Sequence, residues 1–102
     1  MARQTFIEIE HFQWDEENEN HQTHGLNVWI ADQVKDNTPV FFPNERDKTG
    51  SHKMIGPDND QRFWTVILVR TDTPKIWRPI TGWPSGDSEL DAYVDARQKT
   101  PF

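Results

Sequence analysis

Apolar and polar residues alternate along 5-TFIEIEHF-12, with Ile7 and Ile9 on one side and Phe6, Glu8, Glu10 and Phe12 on the other. That period of two predicts a half-exposed first strand. A helical segment follows in 14-WDEENENHQTHG-25. Asp15 is a good N-cap, Glu16, Glu17 and Glu19 suit the positive end of the helix dipole, and Gly25 offers a left-handed stop. A second short helix is expected over about 28–35, where Asn27 can cap, Leu26 can staple back onto Ala31, and Ile30, Ala31 and Val34 share one face.

The rest of the chain reads mainly as strands. The stretch 38-TPVFFP-43 is a strand bounded by prolines, 44-NERDKTGS-51 a polar loop, and 52-HKMIG-56 a short strand before a turn at 57-PDNDQ-61. The run 62-RFWTVILVR-70 is apolar on both faces and closed by an arginine at each end, as a central strand should be. The turn 71-TDTP-74 leads into a strand over 75–81. Pro79 has no amide donor, which places this strand at an edge or leaves one side free there. A last helix is expected over 85–98, with Ser85 or Asp87 as its cap and Leu90, Tyr93 and Val94 as its buried stripe. The order β-α-α-β-β-β-β-α predicts one α+β domain over residues 1–102, with a small antiparallel sheet and the helices packed at one side.

Composition narrows the chemistry. Of 102 residues only 33% are hydrophobic, and the core must lean on five Trp, six Phe and one Tyr. There is no cysteine, hence neither a disulfide framework nor a thiolate metal site. No apolar run approaches the roughly 20 residues that cross a bilayer, and the first ten lack the apolar stretch of a signal peptide, so a cytoplasmic protein is expected. The net charge of −6 argues against gripping nucleic acid by bulk electrostatics. The charge is uneven, however. Residues 4–34 carry seven acids and no Lys or Arg, whereas 35–78 carry eight bases against six acids. A local basic surface on an acidic chain therefore remains open.

Several motifs can be weighed. His21 and His24 lie three apart, with Glu17 one turn earlier, but the zinc-hydrolase pattern H-E-x-x-H is absent and helix capping accounts for both; no metal or cofactor is expected. Asp58-Asn59-Asp60 resembles the start of a calcium loop but lacks its Gly and closing Glu, and reads as a turn. Without a G-x-S-x-G elbow, a P-loop or a dinucleotide glycine pattern, those enzyme classes fall away. What remains is Lys53, Arg62, Arg70, Lys75 and Arg78 on or beside the sheet. By alternation Arg62, Trp64 and Arg70 share one side, and the hairpin register decides whether Arg78 joins them. Guanidinium groups beside aromatic rings suit RNA, the cations holding phosphate while rings stack on bases.

At this level the chain resembles the BrnT-type toxins. The run 12-FQWDEENENHQTHGL-26 is similar to the family's Phe-x-Trp-Asp opening, with Asn18 or Asn20 in the helix and His24-Gly25-Leu26 after it. Gly56, a polar turn and 63-FWTVILV-69 resemble its glycine, turn and hydrophobic strand, and 78-RPITGWPSGDSELDAY-93 resembles its closing pattern. The match spans roughly residues 6–97. It implies a RelE-like fold and a metal-independent ribonuclease paired with a small antitoxin. In such a mechanism a base takes the 2′-hydroxyl proton and cationic groups stabilise the charge that develops on phosphate. The chain departs from the family at Gly82-Trp83, where the closing motif carries Ala-Arg, and in its acidic last helix.

The resemblance therefore implies a toxin whose cleavage is weak, altered or lost. The candidate catalytic residues are His52, Lys53 and Arg78, with Arg62, Arg70 and Trp83 as contacts to RNA. His52 is the better proton carrier because an unperturbed imidazole titrates near 6.5. Trp83 either plugs the edge of the core or forms a stacking platform. The alternative is a non-catalytic domain on the same fold, whose acids at 15–19 and at Asp87, Glu89, Asp91 and Asp95 bind a basic protein.

Overall fold

A computed structural model describes residues 4–20, 25–44 and 50–99. Its elements are β1 (His11–Phe12), α1 (Glu16–Asn20), α2 (Val28–Asp36), β2 (Val40–Pro43), β3 (His52–Pro57), β4 (Phe63–Arg70), β5 (Ile76–Pro84) and α3 (Asp87–Lys99). They form one five-stranded sheet in the order β1-β5-β4-β3-β2. Strands β2 to β5 make an antiparallel meander, while β1 runs parallel to β5, so the sheet is mixed rather than antiparallel. Among the described residues no helix is long and apolar enough to cross a membrane.

The helices do not gather at one side. Successive strand residues point to opposite faces, and each face has its own apolar cluster. On the first, Met54, Trp64, Val66, Leu68 and Trp77 pack with Ala31 and Val34 of α2 and with Leu26. On the second, Val40, Phe42 and Ile55 pack with Ala96 of α3, joined by Ala92 and Tyr93. Helices α2 and α3 thus sandwich the sheet. The expectation of one-sided packing fails because β2 and β3 are apolar on both faces: Met54 and Ile55 are neighbours, and both are fully buried. Each such side chain contributes about 1.5–3 kcal/mol on leaving water.

The N-terminal alternation is real, but only its end forms a strand. The Thr5 amide donates to the Phe41 carbonyl on β2 at 2.8 Å, while the Glu10 amide donates to Lys75 at the start of β5, also at 2.8 Å. The segment between therefore crosses from one margin of the sheet to the other. It turns Ile7 and Ile9 onto the first apolar cluster and leaves Phe6, Glu8 and Glu10 outward. A chain lying across strands cannot share their hydrogen-bond ladder, so only His11 and Phe12 pair regularly, with Ile76 and Trp77.

Local rules account for the helix starts. Asp15 and Asn18 form a reciprocal cap: the Asn18 amide donates to Asp15 Oδ1 at 3.1 Å and the Asp15 amide donates to Asn18 Oδ1 at 2.7 Å. Asn27 caps α2 by accepting from the Ile30 amide at 2.9 Å. At α3 neither Ser85 nor Asp87 is the cap. Gly86 takes that place, its amide donating to Glu89 Oε1 at 2.8 Å, while the Ser85 hydroxyl bonds the Thr65 hydroxyl at 2.9 Å. The histidine pair His21 and His24 lies outside the described residues.

Strand β5 continues through Pro84, past the end expected at residue 81, so Gly82 sits within the strand. A Cβ there would stand 2.4 Å from Leu26 Cδ2 and 2.7 Å from the Thr65 carbonyl oxygen. Glycine is required because Leu26 seats directly on the β5 backbone. Gly82→Ala should therefore overpack this contact and cost about 1–3 kcal/mol, read as a lower urea midpoint with unchanged m-value. An unmoved midpoint would show that Leu26 does not seat there.

Candidate functional site

The site expected from sequence requires three arginines in one place. Their positions are set by the β4–β5 register. From Trp64↔Pro84 to Ile67↔Thr81 the paired residue numbers sum to 148; from Leu68↔Pro79 to Arg70↔Trp77 they sum to 147. A bulge at Ile80 takes up the difference, leaving that residue without a partner. Without it, Arg70 would stand opposite Arg78 on one face. With it, Arg70 stands opposite Trp77, and Arg78, opposite Val69, turns to the other face. Arg62 precedes β4, eight residues from Arg70, which at strand rise is roughly 25 Å away. The three guanidinium groups do not converge. The same alternation separates His52 from Lys53: His52 pairs with Leu68 on the first face, Lys53 with Ile67 on the second.

The structure does bring together Arg70, Trp77 and His52. The Arg70 guanidinium carbon lies 4.8 Å from the Trp77 ring centroid, and the His52 ring meets Trp77 edge-on at 5.1 Å. Trp77 is held from behind, its indole N–H donating to the Glu8 carbonyl at 3.2 Å. His52 Nδ1 and the Ser51 hydroxyl are 2.8 Å apart. Burial, and then the charge of Arg70, push the His52 imidazole below its ordinary value, which favours the neutral ring. A cation, an aromatic face and a neutral imidazole thus meet at one end of the sheet. Trp77 and Ser51 were not among the residues singled out from sequence. Only the bulged register shows that Trp77 faces Arg70.

Arg78 is occupied elsewhere. Its guanidinium donates to both Asp15 oxygens, through Nη1 to Oδ2 and through Nη2 to Oδ1 at 3.1 Å, and lies 3.9 Å from Glu17. Beside it the buried Asn18 donates from Nδ2 to the Pro79 carbonyl at 2.9 Å and to the Gln13 carbonyl at 2.8 Å. The Arg78 hydrogen bond, followed by that of the Asn18 amide, holds the Asp15 carboxyl below its ordinary value. Together these contacts fasten α1 to β5 at the point where Pro79 and the bulge interrupt the ladder.

The other expected residues also have local duties. Trp83 is half-buried and donates from Nε1 to both oxygens of Glu89, each at 3.1 Å, which plugs the space between β5 and the first turn of α3. Arg62 has an exposed side chain, while its backbone closes the β3–β4 turn through Asp58. Buried Asp58 accepts from the Trp64 indole at 3.0 Å and from the Asp60 amide at 2.8 Å. Burial alone would push this carboxyl up. The Trp64 bond and the Arg62 and Asp60 amides outweigh it, so Asp58 titrates below its ordinary value. The turn expected at 57–61 is thus tied by its own aspartate. Among the described residues no group of three or more His, Asp or Glu is placed to hold a metal ion.

A separate cleft of about 170 Å³ opens between β1 and α2, lined by His11, Phe12, Trp14, Asp32, Lys35 and Asp36. Burial, opposed in part by Lys35, pushes the Asp32 carboxyl up. The Trp14 indole nitrogen is buried without a hydrogen bond of regular geometry, yet near enough to Asp32 to favour its anion.

His52 gives a direct check on the cluster. Folding depresses its affinity for a proton, so the stability its neutral form contributes is present above the ordinary value of 6.5 and is lost as pH falls through the depressed folded value. By NMR titration His52 should titrate below 6.5, and Arg70→Gln should raise the midpoint part of the way back. A midpoint that ignores Arg70→Gln would place the two groups apart.

No protein-family model, no curated protein and no solved structure matches this chain.

Proposed function

We propose that this chain is a divergent BrnT-like domain that acts by binding a basic protein partner, of the antitoxin kind, with RNA cleavage weak or lost. The observation that carries the reading is the engagement of Arg78 by Asp15 and Glu17. A cation already neutralised by two carboxylates is poorly placed to stabilise charge developing on phosphate. Arg62 stands far from Arg70, Trp83 is committed to Glu89, and His52 and Lys53 face opposite ways. Acidic surface is plentiful by comparison. Glu16, Glu17 and Glu19 of α1 are exposed, and on α3 Asp87, Asp91 and Asp95 follow at four-residue spacing beside Val94, which is 52% exposed. Such a stripe steers and orients a cationic partner.

The second reading is a retained ribonuclease, favoured by the Arg70–Trp77–His52 cluster. There Arg70 would bind phosphate, Trp77 would orient the guanidinium, and neutral His52 would take the 2′-hydroxyl proton. Arg70→Ala is the decisive variant for this reading and Arg78→Ala is not, because Arg78 lies on the other face.

Induced expression should leave growth unaffected, and purified protein at high concentration should leave single-stranded RNA intact. Where a small basic protein is encoded directly downstream, it should bind in calorimetry, at least tenfold more weakly to the triple variant Asp87→Asn, Asp91→Asn, Asp95→Asn. Growth arrest and RNA cleavage, both abolished by Arg70→Ala, would overturn the binding reading in favour of the nuclease.

A further inference from the structure

The chain carries 17 acids against 11 lysines and arginines, yet where β3 starts and β4 ends two basic groups share one tryptophan with no carboxylate between them. Arg70 lies 4.8 Å over the Trp77 ring, and His52 meets the same ring at 5.1 Å. Among the described residues Arg70 makes no ion pair. The acids that the neighbouring strap brings to this margin, Glu8 and Glu10, lie at Lys75, 3.3 and 3.9 Å away. Asp72, in the turn beyond Arg70, forms no ion pair with it. Arg70 is the charge that acts on His52; Pro43 and Trp77 on the flanking strands carry none, and Lys53 turns to the other face. Two potential like charges so placed repel, and burial adds to the cost of charging the imidazole.

The donors that remain define what would fit. Stacking on the buried Trp77 ring fixes the plane of the exposed Arg70 guanidinium, whose fork of N–H groups matches two oxygens of one anion. Trp77 is itself anchored by its bond to the Glu8 carbonyl, so the platform under Arg70 is rigid. On His52 the Ser51 hydroxyl engages Nδ1 at 2.8 Å, which leaves Nε2 for a ligand. In the charged ring both nitrogens donate: Nδ1 to Ser51 Oγ and Nε2 outward. A guanidinium fork and an imidazolium N–H then face one site from two strands, both able to hold negative charge.

We propose that Arg70 and His52 together receive a tetrahedral oxyanion, either free phosphate or the terminal phosphate of an ester, with the Arg70 fork and His52 Nε2–H as its donors. Occupancy and protonation are coupled, because the anion favours the charged ring and the charged ring favours the anion. His52 takes one proton from solvent as the anion arrives. Affinity therefore rises as pH falls through the midpoint of the occupied site and levels off below the midpoint of the free one. The site stands apart from the acidic stripe of α3. It also differs from the nuclease reading: a general base at His52 works from the neutral ring, whereas an anion receptor works with the ring charged.

The test is an NMR titration of the intact chain with sodium sulfate, which keeps its charge through the neutral range, against sodium chloride at matched ionic strength. The signals followed are the His52 ring protons and the Trp77 indole N–H. Sulfate should move both saturably and raise the His52 midpoint by about half a pH unit or more. Arg70→Gln should weaken sulfate about tenfold, and His52→Gln should remove the pH dependence of its binding while the Trp77 signal reports an intact fold. Shifts reproduced by chloride, a His52 midpoint that sulfate leaves in place, or indifference to Arg70→Gln would each overturn the proposal. A pH dependence that survives His52→Gln would overturn the coupling. Inorganic phosphate and methyl phosphate are then added as competitors. Stronger competition by phosphate supports the free ion, stronger competition by methyl phosphate supports an ester end, and competition by neither overturns the assignment to phosphate. Partner binding lost with the α3 triple variant leaves these signals unmoved, so the two readings fail separately.

Discussion

The register between β4 and β5 governs the chemistry of this molecule. One unpaired residue, Ile80, separates a surface with two facing arginines from one in which Arg70 lies over Trp77 and Arg78 points the opposite way. Two like charges directly across an antiparallel pair repel; the bulge removes that pairing and gives each cation a separate partner. Pro79 belongs to the same arrangement. It has no amide to offer beyond the ladder, and its carbonyl accepts from Asn18, so the interruption in the sheet is also where α1 is fastened.

From this follows a division between the two faces. The first carries the strap of residues 4–12, helix α2, and at one end the Arg70–Trp77–His52 cluster. The second carries α3 and the ion pair of Arg78 with α1. Aromatic residues do much of the fastening through their polar atoms: Trp64 to Asp58, Trp77 to the Glu8 carbonyl, Trp83 to Glu89. A chain with few aliphatic residues thereby gains both buried area and fixed orientation from each indole. Trp14 and Trp29 differ from these: the buried Trp14 N–H lies against Asp32, and the Trp29 ring is exposed.

Much of the fold was legible in the sequence because its elements are locally determined. The caps at Asp15 and Asn27, the positive φ of 87° at Gly25, the apolar run of β4 and the aspartate-tied turn before it each depend on residues a few positions apart. What escaped depended on long-range geometry. Alternation at 5–12 told which side chains are buried but not that the segment crosses the sheet. Apolar β2 and β3 left open which face each helix takes. The candidate site suffered most, since a single bulge inverts face assignment and no local pattern at 76–84 announces it. Arg78 looked available because its partners, Asp15 and Glu17, lie more than sixty residues away in sequence. Their excess of negative charge was visible; their destination was not.

The most direct measurement is the set of interstrand NOE contacts between the backbone protons of β4 and β5. The bulged register predicts contacts of Arg70 with Trp77 and of Val69 with Arg78. Contacts of Arg70 with Arg78 and of Leu68 with Ile80 would contradict it, restore two arginines to one face, and remove the ground for placing binding before catalysis.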